Sequence, residues 1–167
     1  MLFRSIGAPA SSLALDVRES EAGEAASTLL ISHVLTELQP AQVEALADFA
    51  VGFASVIWVE PGTYEASLTL IAVRERLRGR LNVIAPCTHQ ARCGILAPEN
   101  ERHWCHHFAE PPPEVFTDGN WARFGELAGV DLRSLPLSFL VLDRRPAPVL
   151  PPGATRGLGR ALLYKPH

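Results

Sequence analysis

Two apolar runs constrain this chain more than any other feature: Thr28, Leu29, Leu30 and Ile31, and then "SVIWVE" at Ser55–Glu60. A strand apolar at successive positions presents apolar side chains to both faces, which suits the interior of a covered sheet. Between the runs, Pro40 fits the first turn of a helix whose apolar stripe is Val43, Leu46, Ala47, Ala50 and Val51, closed by Gly52. Pro61 and Gly62 punctuate a turn after the second run, and Leu68, Ile71, Ala72 and Leu77 recur at helical spacing from Thr63 onward. Leu81–Ala85 supplies a third short strand. Strand, helix, strand, helix, strand predicts an α/β fold with a doubly wound parallel sheet. Ligands of such sheets sit at the carboxyl ends of the strands, where His33, Glu60 and Cys87 fall.

The 167 residues suit one domain, 1–167, with a substantial core. A hydrophobic share of 47% excludes a disordered chain, while 14 prolines and 12 glycines predict long irregular connections. Charge is uneven: residues 1–60 carry eight acids and two arginines, and residues 61–167 carry thirteen basic residues and ten acids. That excludes a uniform basic coat and leaves room for a local basic face in the second half. No apolar run approaches the roughly 20 residues that span a bilayer. Met1–Ser12 makes a poor secretory signal, so a reducing compartment is expected, with the three cysteines as ligands and not as a disulfide framework.

After Pro86 regular patterning lapses for about fifty residues, longer than a compact domain leaves unsupported. Phe116, Trp121, Phe124 and Leu127 are expected to dock part of it through a short helix, and Pro111–Pro113 to form a rigid extended spacer. "SFLVL" at Ser138–Leu142 is a further strand. Leu13–Val17 reads as a strand or a tail against the core, and Arg160–Tyr164 as the start of a last strand.

Within the irregular stretch, residues 86–110 hold all three cysteines, Cys87, Cys93 and Cys105, with His89, His103, His106 and His107 interleaved. Thiolates are soft ligands for zinc or iron–sulphur clusters, and such a centre would staple a loop that lacks a core of its own. The spacing does not say which, and a four-iron cluster ordinarily takes four cysteines. The competing account is that the cysteines are small buried hydrophobes, with Trp104 and Phe108 burying Cys105. Adjacent His106 and His107 point apart, so at most one of them is a metal ligand; His106 is taken for that role.

The ordered set "LLISHVLTEL", "VIWVEPGTYEASLTLIAVRERL", "NVIAPCTHQARC", "WCHHF" and "SFLVLDRR", over Thr28–Arg145, resembles the small-ribosomal-subunit assembly proteins related to S-adenosylmethionine-dependent methyltransferases, found in mitochondria and many bacteria. The resemblance implies a partial class I, Rossmann-like methyltransferase sheet with a cysteine-rich insertion. It implies that Cys87, Cys93 and Cys105 are three ligands of a four-iron four-sulphur cluster, with zinc as the alternative centre. No Gly-x-Gly segment precedes Ser32, so the chain is expected to be a partial, carboxyl-terminal-half member that binds S-adenosylmethionine only if another chain or segment completes it. The family's fourth cysteine lies downstream of a stretch resembling "GLGRALLYKPH". The fourth ligand is therefore expected to be a histidine such as His106, an exogenous group, or a residue of another chain, or to be absent.

Other candidates have structural and functional accounts side by side. His33 lines the cofactor pocket or bonds a loop carbonyl; Glu60, Pro61 and Gly62 resemble the family's post-strand motif, although the turn itself wants a glycine. Thr63 and Glu65 suit a helix start with no cofactor involved. Arg74, Arg76, Arg78 and Arg80, read with Arg92 and Arg102, form a solvated helix face or a contact for ribosomal RNA phosphates. The expected function is a methyltransferase-like small-subunit assembly or RNA-associated protein that binds an iron–sulphur cluster and is not catalytic alone. Alternatives are a subunit of a split methyltransferase and a small zinc-binding scaffold. Expected partners are the small ribosomal subunit or its RNA, a protein completing the sheet, or a second copy, and no membrane. The expected compartment is a bacterial cytoplasm, or else the mitochondrial matrix.

Overall fold

The computed structural model describes residues 27–87 and 89–149. Leu13–Val17 and Arg160–Tyr164 lie outside the described residues. The apolar runs become β1 (Thr28–Ser32) and β2 (Ser55–Pro61), joined by α1 (Pro40–Ala50); α2 (Tyr64–Leu77) leads on to β3 (Asn82–Ala85). Beyond it lie β4 (His107–Ala109), the short helices α3 (Glu114–Thr117) and α4 (Gly119–Ala128), and β5 (Leu135–Asp143). Among the described residues no helix is long and apolar enough to cross a membrane.

The helix starts follow the sequence. Pro40 opens α1, where its missing N–H costs nothing, and Gln39 and Gln42 cap each other reciprocally. Thr63 Oγ1 accepts the Ala66 amide at the start of α2, and Glu65 stands in that first turn.

The sheet keeps β1, β2 and β3 running in one direction, as expected, and departs from an all-parallel arrangement at β5. Its order is β1-β2-β5-β3, with β4 pairing with β5. β1 and β2 are parallel, but β5 runs antiparallel to β2, β3 and β4. Nothing local in Ser138–Leu142 encodes its direction; the strand takes the slot because it can bury Leu140 and Leu142 between two apolar neighbours. The result is a mixed α/β sheet, compatible with a partial Rossmann-like arrangement.

One face of that sheet carries the core. Ile31, Trp58 and Leu140 stand in register, as do Val56, Leu142 and Val83, and all pack with Leu46, Ala47 and Ala50 of α1 and Leu70, Val73 and Leu77 of α2. The other face is more open among the described residues. Leu30 is 67% exposed and Ile57, its register partner, 38%. The expectation that the first run would be buried on both faces is thus met on one.

Glu60 organises the carboxyl end of β2. It is completely buried, and its carboxylate accepts the Trp58 indole N–H (2.8 Å) and the backbone amides of Val34 (3.2 Å) and Leu35 (3.3 Å). The two amides open the short turn at Leu35–Glu37, so Glu60 ties the β1–α1 connection to the adjacent strand. Glu60→Ala leaves three buried donors without their acceptor and is expected to cost about 3–5 kcal/mol in urea unfolding. Glu60→Gln keeps one oxygen acceptor in place and should cost clearly less.

Candidate functional site

The segment after β3 is held by side chains and not by a core of its own. Gln90 folds back so that its amide accepts the Val83 N–H (2.9 Å) and donates to the Val83 carbonyl (2.7 Å), acting as a one-residue surrogate strand on β3. Glu75 of α2 accepts the Cys93 amide (3.1 Å). Arg74 Nη2 donates to the carbonyls of His89 (3.2 Å) and Ala91 (3.0 Å). Further on, the Tyr64 hydroxyl donates to the Glu101 carbonyl (2.7 Å) and the Trp104 indole to the Gly62 carbonyl (2.9 Å).

Cys105 is fixed most firmly. The buried Ser67 hydroxyl accepts its amide (3.0 Å) and donates to its carbonyl (2.7 Å), and the buried Ser138 hydroxyl donates to the same carbonyl (2.7 Å). Helix α2 and strand β5 therefore place this cysteine together. Two residues on, His107 begins β4.

These anchors bring the three cysteines to one pocket, bounded also by Ser67, Arg74, Pro86 and Phe139. All three are free thiols; Cys93 is buried, and Cys87 and Cys105 are half-buried. The pocket is partly open, with a volume of about 30 Å³. Burial first, then the neighbouring Cys87 and Cys93, push the Cys105 thiol up to about 11, while Arg74 pulls the other way. Among the described residues no group of three or more His, Cys, Asp and Glu side chains is arranged to hold one metal ion.

The histidines divide sharply. His106 stacks on Trp104 (ring centroids 4.9 Å apart) and meets Phe108 edge-on. Trp104 and Phe108 accordingly flank His106 and leave Cys105 to Ser67 and Ser138. His107 instead has Nε2 3.6 Å from Cys105 Sγ and its ring 4.9 Å from that of Phe139. Burial and the nearby His106 lower the His107 pKa, which favours the neutral ring. His107 thus stands where His106 was expected, and the two-residue alternation of an extended chain through Cys105 and His107 is the signal for it in the sequence.

The four residues placed in a cofactor pocket have local roles. His33 is exposed, with φ 55°, its amide bonded to Val59 O (2.9 Å) and its ring to the Ser32 hydroxyl (2.8 Å). Glu60 holds the β1–α1 turn, and Pro61 ends β2. Gly62 lies against β5: an added Cβ would stand 2.7 Å from the Pro136 carbonyl carbon.

Arg76, Arg78 and Arg80 lie on a solvated face, as one of the two accounts expected, but their charges are paired within the chain. Arg74 is buried, Arg76 and Arg80 both bind Asp48 of α1, and Arg78 binds Glu75. Those two bridges hold the Asp48 carboxyl down at about 2. Pairing within the chain removes most of the free charge that phosphate contact would need. The aromatic stretch also departs from expectation. Pro113 takes helical angles and starts α3, which packs on α4, but Phe116, Trp121, Phe124 and Leu127 remain exposed.

Gly62→Ala should cost about 1–3 kcal/mol, because backbone and not a flexible side chain would have to move. The Cys105 thiol makes a second prediction. Folded, it keeps a proton that the unfolded chain gives up near the ordinary 9.0, so metal-free protein loses stability as pH climbs from there to about 11. Thermal midpoints across that window should fall for the wild type, and Cys105→Ser should lack this part of the fall.

No curated protein matches the chain. A family model described as mitochondrial small ribosomal subunit Rsm22 matches residues 10–111, which include β1 to β4 and all three cysteines. That match covers more than half of the sequence, and the chain belongs to the Rsm22 family.

Proposed function

We propose that this protein works with the small ribosomal subunit as a methyltransferase-like assembly factor, and that Cys87, Cys93 and Cys105 hold a four-iron four-sulphur cluster. The ribosomal part rests on the family. The cluster rests on one observation: three thiols from separated positions line one pocket while the backbone around them is pinned to α2 and β5. Each thiolate of a cluster binds its own iron, so the sulphurs can stand further apart than around a single ion. That accords with a thiol-lined pocket lacking a single-ion ligand group among the described residues. When bound, the cluster would supply a soft, redox-active staple for the loop; these residues would supply three thiolates and an immobile backbone.

Zinc is the second reading, favoured by a different distance. Zn–S of about 2.3 Å and Zn–N of about 2.0–2.1 Å at a tetrahedral angle give an S···N edge of about 3.6 Å. Cys105 Sγ and His107 Nε2 are 3.6 Å apart. In that case His107, not His106, completes a three-cysteine, one-histidine set.

The Rossmann-like reading of the sheet belongs to this proposal too, with parallel β1 and β2 as the retained core and S-adenosylmethionine bound only if another chain or segment supplies a glycine-rich turn. A family of the mitochondrial small ribosomal subunit favours the mitochondrial matrix over a bacterial cytoplasm.

Anaerobic purification followed by iron, sulphide and zinc analysis tests the centre. Brown protein with about four irons per chain is expected, with Cys87→Ser, Cys93→Ser and Cys105→Ser each losing most of the iron. Colourless wild type with one zinc, lost in His107→Asn and kept in His106→Asn, would replace the cluster by the zinc site. Co-sedimentation with the small subunit tests the partner, and its absence at physiological salt would remove the ribosomal role.

A further inference from the structure

Arg74 is a charged side chain in a place that its own protein contacts do not explain. It lies in the last turn of α2 and is 3% exposed, where an arginine is seldom found unless its polar atoms are matched. Nη1 donates to Glu75, and Nη2 donates to the His89 and Ala91 carbonyls. Nε has no partner. It is the one buried side-chain nitrogen or oxygen among the described residues with none, and Arg74 lines the same pocket as Cys87, Cys93 and Cys105.

The surrounding charges sharpen this. Glu75 is shared by Arg74 and the exposed Arg78 and also accepts the Cys93 amide, so it neutralises Arg74 only in part, and Arg74 is the one charged side chain that lines the thiol pocket. The local excess is positive. A pocket lined by three potential thiolates beside an unmatched N–H and a surplus cation suits an anionic, sulphur-rich occupant. A latch for the loop would need only the two carbonyl bonds.

On the cluster reading given above, we infer that Arg74 donates Nε–H to a sulphur of the bound centre and sets its charge balance, acting as a positioning residue and not as a ligand. A cation and a donor at a cluster sulphur stabilise the reduced, more negative state and raise the reduction potential. Glu75 acts in the opposite direction, since it offsets the same cation.

The test is mediator-coupled redox titration of the anaerobically reconstituted full chain, with iron content measured on each sample. Arg74→Gln should lower the midpoint by at least the equivalent of a tenfold change in the redox equilibrium, about 59 mV for one electron. Arg74→Lys should recover part of that shift, and Glu75→Gln should move the midpoint upward. Loosening of the loop has no reason to give opposite signs at the two neighbours. If Arg74→Gln fails to hold iron, Arg74→Lys and Glu75→Gln still decide the matter by the sign of their shifts. Wild-type potential in iron-loaded Arg74 variants, or the same direction in Arg74→Lys and Glu75→Gln, overturns the role of Arg74 and leaves the cluster standing. Wild type that takes up zinc alone, or no metal, overturns the cluster and the tuning with it.

Discussion

The antiparallel insertion of β5 between β2 and β3 is the contact on which the rest depends. Leu140 and Leu142 complete the core face of the sheet, and the register fixes the neighbouring positions. Ser138, on the same buried face, then reaches the Cys105 carbonyl, while the opening of β5 pairs with β4 and presses against Gly62. A strand recruited for apolar burial thus also positions the cysteine segment. A slip of one residue would reverse the faces, exposing Leu140 and carrying Ser138 away from Cys105.

The cysteine pocket has a backbone-level logic. A segment with little apolar content must satisfy its amides and carbonyls by other means. Here Gln90, Glu75, Arg74, Ser67, Ser138 and Trp104 do so one contact at a time. Five of those six are borne by α2, β5 or the loop beside β3. The thiols therefore approach one another because the scaffold carries them there, with each side chain free to face the pocket.

Much of the scaffold was legible in the chain. The runs at Thr28 and Ser55, the Pro40 and Thr63 helix starts and the strand at Ser138–Leu142 all appear where periodicity and punctuation put them. The family likeness drawn from short ordered motifs agrees with the family match. Residue roles were harder. Glu60 at the end of a strand has the look of a ligand-facing acid, yet its three donors come from Trp58 two residues back and from a turn 25 or 26 residues earlier. Distance in sequence concealed those partners. Arg74 looked like one member of a solvated run because a helix face cannot be assigned from charge alone when a long loop folds over it.

By itself the sequence determined which segments become strands and helices, since local periodicity, proline geometry and capping depend on near neighbours. It also determined that the three cysteines lie in a stretch that needs outside support. Only the tertiary structure decided that β5 runs against its neighbours, that His107 and not His106 stands beside Cys105, and that Arg74 is buried next to three thiols. Those outcomes follow from pairing and burial between segments about 15 to 90 residues apart, and such contacts leave no periodic mark on either partner.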